Sequence, residues 1–271
     1  MEHCIRNWDL PESEKLRYSQ IFHFVKLFRR DKPSPPVFTR FERWCYQMEE
    51  CKGGISIIYA SLSEASSKFL YMEAWERDLQ ETWSLDEWHK VGTRAYKGLL
   101  NVSLIESNLK VLMRWYLVPS RLASMFPTAS PLCFRDCQAQ GTMLHIWWDC
   151  PKIRGFWNKI FNLIRKVTGV PVEKNPQVAL LGTRIPQASK QMQKLITFML
   201  LGAKTTLAGA WKQPRVSIMA AKKKISWVMT QEKLVSSILN TSQLFEAIWE
   251  PWAKYVGVSL LPGTTMTPTN S

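Results

Sequence analysis

Three cysteines and one histidine lie within 18 residues and have the character of a metal site. Cys133 and Cys137 are separated by three residues, seven more precede His145, and four more precede Cys150, which gives C-x3-C-x7-H-x4-C. Cysteine thiolates and an imidazole are ligands that zinc prefers, and four protein ligands complete its tetrahedron. We therefore expect these residues to hold one structural zinc ion, with no open position for catalysis.

The same residue types also occur as reduced cysteines in a core, beside a histidine with satisfied hydrogen bonds. The C-x3-C pair is wider than the common C-x2-C pair, which keeps that alternative open. The density of ligand types favours the metal site, and Gly141 suits the loop that reverses the chain. Cys4, Cys45 and Cys51 have no partner at ligand spacing.

Sequence patterns typical of catalysis are absent. The chain contains no Asp-Asp pair, no glycine-rich phosphate loop, no G-x-S-x-G and no H-E-x-x-H. Two pairs of neighbouring carboxylates, Asp86-Glu87 and Glu49-Glu50, fall on predicted helices, where adjacent side chains point in different directions. We predict that this chain is not an enzyme and has no small-molecule substrate.

The excess positive charge lies almost entirely in the C-terminal part of the chain. Residues 151–271 carry 17 Lys and Arg against 4 Asp and Glu, whereas residues 1–150 carry 19 against 18. An excess of positive charge confined to one part of the chain is typical of proteins that bind a polyanion, most often nucleic acid. We predict RNA or DNA as the partner.

The candidate nucleic-acid contacts are cations that flank or follow the cysteine-histidine motif. They are Arg114, Arg121, Lys152, Arg154, Lys159, Arg165, Lys166, Lys222, Lys223 and Lys224. Any one of them alone is typical of a solvated surface, but the whole set would repel itself without a counter-charge. Trp115, Trp147 and Trp148 are candidates for stacking on bases, because they lie in or beside the motif. Trp157 and Trp249 lie on apolar helical stripes and are expected in the core.

Helical spacing of apolar residues dominates, so we predict a mainly α fold, with helical bundle-like segments and a small zinc-knuckle insert. The predicted segments are an N-terminal helix (1–30), a helical region (37–119), the motif with its following helix (120–169), a basic helical region (170–258) and a disordered tail (259–271).

Several residues predict where helices begin and end. Ser84 with Glu87 and Ser103 with Glu106 fit capping boxes. Pro151 suits a first turn and Gly169 the position after a last turn. Pro186 could begin a long helix that reaches Trp211, and Leu244 to Trp252 mark a final helix.

No segment predicts secretion or membrane insertion. The N-terminal residues MEHCIRNWDLPESEK lack an apolar core, and the apolar stretch Leu195 to Trp211 is interrupted by Lys204 and too short for a bilayer. We expect a soluble intracellular protein, cytoplasmic or nuclear, with reduced thiols.

Five blocks of sequence resemble the C-terminal region of the polyprotein of LINE-type non-LTR retrotransposons. They are RYSQIFHF at 17–24, ISIIY at 55–59, WERDL at 75–79, RWYLVP at 114–119 with the following Arg121-Leu122, and the motif from Cys133 to Cys150. The resemblance spans residues 10 to 255, roughly, and the cysteine-histidine spacing is its most specific element.

The resemblance implies a helical segment after a polymerase thumb, a zinc-knuckle-like motif, and binding of element RNA or target DNA. The endonuclease domain and the polymerase fingers and palm of that family have no counterpart here, so we expect a 5′-truncated remnant or a fragment. The alternative is a metal-free helical scaffold for protein interaction with a solvated basic face. A third hypothesis is a pseudogene product that does not fold stably.

Overall fold

The computed structural model describes residues 12–29, 68–99 and 101–260. The chain divides into two compact units, Met1–Ser67 and Lys68–Ser271, with a boundary inside the helical region predicted at 37–119. In the first unit the described residues form helix α1, Glu12–Arg29, which lies within the N-terminal helical segment predicted at 1–30. Predictions that concern residues 30–67 and the tail beyond 260 lie outside the described residues.

The described part of the second unit is helical, which confirms the predicted mainly α fold. Its helices are α2 Leu70–Leu79, α3 Leu85–Tyr96, α4 Val102–Leu112, α5 Pro119–Met125, α6 Pro151–Thr168, α7 Lys190–Gly209, α8 Ile218–Ile238 and α9 Ser242–Val256. Two π-helical turns, His145–Asp149 and Gln177–Leu181, lie before α6 and α7. Extended pairing in this part of the chain is a single bridge between Leu132 and Gln140.

Helix α7 lies at the centre of the core and packs against α4, α6, α8 and α9. Gly202 lets α8 approach closely, because a Cβ atom there would lie 2.7 Å from Cγ1 of Ile225. Trp157 of α6 and Trp249 of α9 are buried, as expected from their apolar stripes. The apolar face of α6 therefore packs against the core, and the opposite face of the helix is exposed to solvent.

The helix boundaries confirm one predicted capping box and correct the other. The Ser84 hydroxyl accepts from the Glu87 amide at 3.3 Å, and the Glu87 carboxylate accepts from the Ser84 amide at 2.8 Å. Ser103 is not an N-cap, because α4 begins earlier and the Asn101 side chain accepts from the Leu104 amide at 3.3 Å. Asn and Ser stabilise a helix N-terminus to a similar extent as N-cap residues, so this preference alone does not distinguish Asn101 from Ser103.

The ends of α6 match the sequence, whereas the start of α7 does not. Pro151 is the first residue of α6, and Gly169 follows it with φ 70°. The long helix begins at Lys190 instead of Pro186, because the Ser189 hydroxyl accepts from the first-turn amide of Met192 at 3.2 Å. None of the described helices is both long enough and apolar enough to cross a membrane.

Candidate metal centre

Cys133 and Cys137 are positioned by a tight loop between α5 and α6. The Cys133 amide donates to the Ala139 carbonyl at 2.9 Å, and the Gly141 amide donates to the Pro131 carbonyl at 2.8 Å. Within this loop, Asp136 and Gln138 have positive φ angles of 53° and 62°. Aspartate tolerates this left-handed region better than most residues do. The loop therefore turns sharply enough to bring both thiols to one side.

His145 and Cys150 are positioned by the π-helical turn that precedes α6. The Cys150 amide donates to the His145 carbonyl at 2.9 Å, which is a bond between residues five apart. A π-helical turn occurs mostly as a single turn, often at a functional site. Because Pro151 follows directly as the first residue of α6, the last cysteine of the motif is joined to the start of that helix.

The four side chains converge on one point. The Sγ atoms of Cys133, Cys137 and Cys150 and a ring nitrogen of His145 all lie within 4.8 Å of one another. Cys150 Sγ lies 3.8 Å from each of the other two sulfur atoms, and Cys137 Sγ lies 3.1 Å from Nε2 of His145. These sulfur separations are far longer than a disulfide bond of about 2.05 Å, and the three thiols are free.

The separations suit a tetrahedral metal ion. Metal–sulfur bonds of about 2.3 Å in a regular tetrahedron give sulfur–sulfur edges of about 3.8 Å. The site is also shielded, because Cys133, His145 and Cys150 are buried and Cys137 is half-buried. The predicted ligand set is thus brought together, and an ion bound there would be enclosed by protein.

Burial and local hydrogen bonds set the protonation of the ligands. Burial raises the pKa of the Cys133 thiol to about 12 and lowers the pKa of His145. Burial also acts to raise the pKa of Cys137, but bonds from the Ala139 amide and the neighbouring thiols outweigh it, so that this pKa is lowered. The lowered pKa of His145 favours the neutral imidazole, which is the form that binds a metal, and a metal would have to displace protons from the thiols.

A buried arginine lies beside the four ligands. Arg135 is 1% exposed, and its guanidinium donates to the carbonyls of Ile146 at 3.0 Å and Gln213 at 3.1 Å. Its third nitrogen, Nη2, is buried without a hydrogen-bond partner. The sequence analysis missed this residue, although its place between Cys133 and Cys137 was a signal that it belongs to the site.

The candidate nucleic-acid contacts differ in their exposure and in the contacts that they make within the fold. Arg114 is held within the fold, because its guanidinium donates to Asp78 at 2.7 Å and lies 4.7 Å from the ring centroid of Trp75. Lys224 lies 3.7 Å above the ring of Trp227. The exposed candidates are Arg121, Lys152, Arg154, Lys159, Arg165, Lys166 and Lys223, while Lys222 is half-buried.

Two of the three candidate stacking tryptophans belong to the core. Trp147 is fully buried and packs with Tyr116 and Trp211, so the expectation that it stacks on a base is wrong. Trp148 is half-buried, with its ring centroid 5.3 Å from that of Trp157. Trp115 is 69% exposed and alone among the three presents its ring to solvent.

Comparison with known protein families matches none of them to this chain. The resemblance to the retrotransposon polyprotein therefore depends on the sequence blocks described above and stays a prediction.

Proposed function

We propose that this chain is a nucleic-acid-binding module in which a structural zinc ion fixes the start of a cationic helix. The observation that carries the proposal is the junction between the site and α6. Cys150 is one of the four converging ligands, and the helix begins at the next residue, Pro151. An ion held by Cys133, Cys137, His145 and Cys150 would anchor the first turn of α6 to the preceding loop.

Zinc is the ion that the ligand set favours. Three thiolates and one imidazole are typical of structural zinc, and with four protein ligands no position is left for a reactive water. We therefore propose a binding module without catalytic activity. The resemblance to the LINE-type polyprotein, whose motif has the same spacing, supports this function.

The exposed face of α6 carries two rows of cations. At 100° per residue, Lys152, Lys159 and Lys166 follow one edge of that face, and Arg154 and Arg165 follow the other. The opposite side is the buried apolar face of the helix. Successive lysines in the row lie seven residues apart, which is roughly 10.5 Å of helix. This face can meet a phosphate backbone without disturbing the core.

Phosphate contacts of this kind position a nucleic acid but do not read its sequence. We expect weak sequence preference and strong salt dependence, since each neutralised phosphate contributes about 0.7–0.9 to the slope of log K against log salt.

The test is RNA and DNA binding, measured by fluorescence anisotropy across a range of salt concentrations. Changing Lys152, Arg154 and Lys159 together to Glu should weaken binding by more than about tenfold and lower the slope by about 2. The control changes Lys97, Arg184 and Lys190 to Glu, because these cations are also exposed and lie on other elements than α6. The proposal fails if both triple variants behave alike, or if the wild type binds no better than an unrelated protein of equal net charge.

A second candidate function, protein interaction, is favoured by an apolar cleft on α4. The cleft has a volume of about 390 Å³ and is lined by Val102, Ile105, Leu109, Met113 and Trp115, among others. Exposed apolar surface of this kind often marks a protein contact. The variant Trp115→Ala separates the two uses: weaker nucleic-acid binding with an unchanged salt slope indicates base stacking, whereas unchanged binding leaves the cleft to a protein partner.

A further inference from the structure

Lysines from two helices converge on one tyrosine of α9. The ammonium nitrogens of Lys166 in α6 and Lys222 in α8 lie 5.5 and 5.0 Å from the ring centroid of Tyr255. Lys222 also donates to the Tyr255 hydroxyl at 2.7 Å. Attraction to the ring and this hydrogen bond hold two like charges near each other.

A third lysine, Lys254, lies beside a cleft that Tyr255 also lines. It lines a cleft of about 470 Å³ together with Lys166, Glu250 and Tyr255. Within the part of the chain that the structure describes, no ion pair joins any of the three lysines to a carboxylate. The cleft is therefore lined by two ammonium groups and by one carboxylate that is not paired with them. The third ammonium group, that of Lys222, lies outside the cleft lining and donates to the hydroxyl of Tyr255, which does line the cleft.

The charges around Tyr255 do not balance. Lys166 and Lys254 lie in the last turns of α6 and α9, and each helix end contributes about half a negative charge. Set against the three lysines, these partial charges and the carboxylate of Glu250 leave an excess of about one positive charge. One phosphodiester group, with its single negative charge, would neutralise that excess.

We propose that Lys166, Lys222 and Lys254 form a binding site for one backbone phosphate of a nucleic acid, organised by Tyr255. This inference rests on the proposed function and extends it to a particular place. Lys166 is the last cation of the row that begins at Lys152 and Lys159 on α6. A strand that follows that row therefore reaches the cleft at its end, which favours a backbone phosphate over a free phosphate ion.

The first test removes the charge of the site. Lys166, Lys222 and Lys254 are changed together to Gln, and the control changes Lys97, Arg184 and Lys190 to Gln. With a 20-nucleotide RNA titrated across salt, the site variant should lose about 0.7–0.9 from the log-log slope and the control much less. Equal slopes in the two variants would overturn the inference. If instead the wild type does not bind RNA, the proposed function itself has failed.

A gentler variant covers the case in which the triple change impairs folding. Tyr255→Phe removes the hydroxyl that Lys222 contacts but keeps the ring and all charges. It should weaken RNA binding several-fold with an unchanged slope, and unchanged affinity would contradict the organising role of Tyr255. Calorimetry with inorganic phosphate identifies the source of the phosphate: submillimolar binding that is lost in the site variant would assign the cleft to a free anion and overturn the backbone assignment.

Discussion

At the scale of single residues, Arg135 explains how a charged metal site can exist inside this fold. Three thiolates and a neutral imidazole around a divalent zinc ion leave one net negative charge. Burying such a charge is costly unless an opposite charge accompanies it. Arg135 is buried beside the ligands, its amide contacts the Cys133 thiol, and its guanidinium bonds to the Ile146 and Gln213 carbonyls. We infer that Arg135 is the counter-charge of the loaded site.

Replacing Arg135 by Met should therefore destabilise the zinc-loaded protein by about 3–5 kcal/mol, because it leaves a buried charge and two carbonyls without partners. Arg135→Lys, which keeps the charge but not the planar fork of donors, should cost less. Urea unfolding of the zinc-loaded proteins measures both. Equal stability of wild type and Arg135→Met would show that the site needs no counter-charge.

Lys204 is a second buried cation, and it makes stability depend on pH. Its ammonium group donates to Oδ1 of Asn108 at 2.5 Å and to the Leu180 carbonyl at 3.2 Å, and burial lowers its pKa to about 7. In the unfolded chain the pKa is the ordinary 10.5 or so. Between these values the unfolded state binds more protons, so that the contribution of Lys204 to stability rises with pH.

The variant Lys204→Met should lack this dependence. From pH 7 to 10, the free energy of unfolding of the wild type should rise relative to that of the variant, by up to about 4 kcal/mol. Thiols and tyrosines that titrate in both proteins cancel in the difference. Chemical unfolding at several pH values provides the measurement, and parallel curves for the two proteins would contradict the shift.

At the scale of the secondary-structure elements, the sequence predicts those features that depend on contacts between residues close together in the chain. Pro151 and Gly169 bound α6 as predicted, and the spacing of Cys133, Cys137, His145 and Cys150 predicted the four side chains that converge. The burial of Trp147 could not be predicted in this way, because it depends on Trp211, which follows 64 residues later in the chain. The sequence analysis placed helix α8 within a predicted basic helical region but gave no bounds for it, because the run of lysines at 222–224 obscures the apolar spacing.

The metal-site loop also depends on a close approach that sequence does not reveal. Gly141 was expected to allow a turn, but what requires glycine is the contact with α5. A Cβ atom at this position would lie 2.5 Å from Cγ of Pro119, the first residue of that helix. The Gly141 carbonyl also accepts from the Ser120 amide at 3.2 Å.

Two glycine substitutions should therefore have opposite effects. Gly141→Ala should destabilise the protein by about 1–3 kcal/mol, since the loop and α5 must move apart. Gly155→Ala, on the exposed face of α6 where a Cβ atom meets nothing within 4 Å, should stabilise it by about 0.5–1 kcal/mol through helix propensity. Thermal unfolding of the two variants tests the pair. If Gly141→Ala leaves the stability unchanged, the close contact between position 141 and Pro119 of α5 does not require glycine.

At the scale of the whole molecule, the metal site and the large helical core are expected to respond differently to metal removal. The core around α7 is built mainly from apolar side chains of α4, α6, α8 and α9, and we expect it to stay folded without the ion. Residues 130–152 have little regular structure apart from the π-helical turn. In this region the bound ion would supply much of the stabilisation.

Chelation should therefore raise amide hydrogen exchange in residues 130–152 and in the first turn of α6, while α7, α8 and α9 stay protected. Nucleic-acid affinity should fall in parallel, since the cationic helix loses its fixed start. Uniform loss of protection would indicate that the ion supports the whole fold. Unchanged exchange in residues 130–152 would indicate that the ion stabilises neither this region nor the helical core.

The central claim is that Cys133, Cys137, His145 and Cys150 together bind one zinc ion. X-ray absorption spectroscopy at the zinc edge tests it most directly, on protein purified without a histidine tag and assayed for metal content. We predict about one zinc per chain, with three sulfur neighbours at about 2.3 Å and one nitrogen neighbour at about 2.0 Å. Protein that is folded but contains no zinc, or zinc surrounded mainly by oxygen and nitrogen, would contradict the claim.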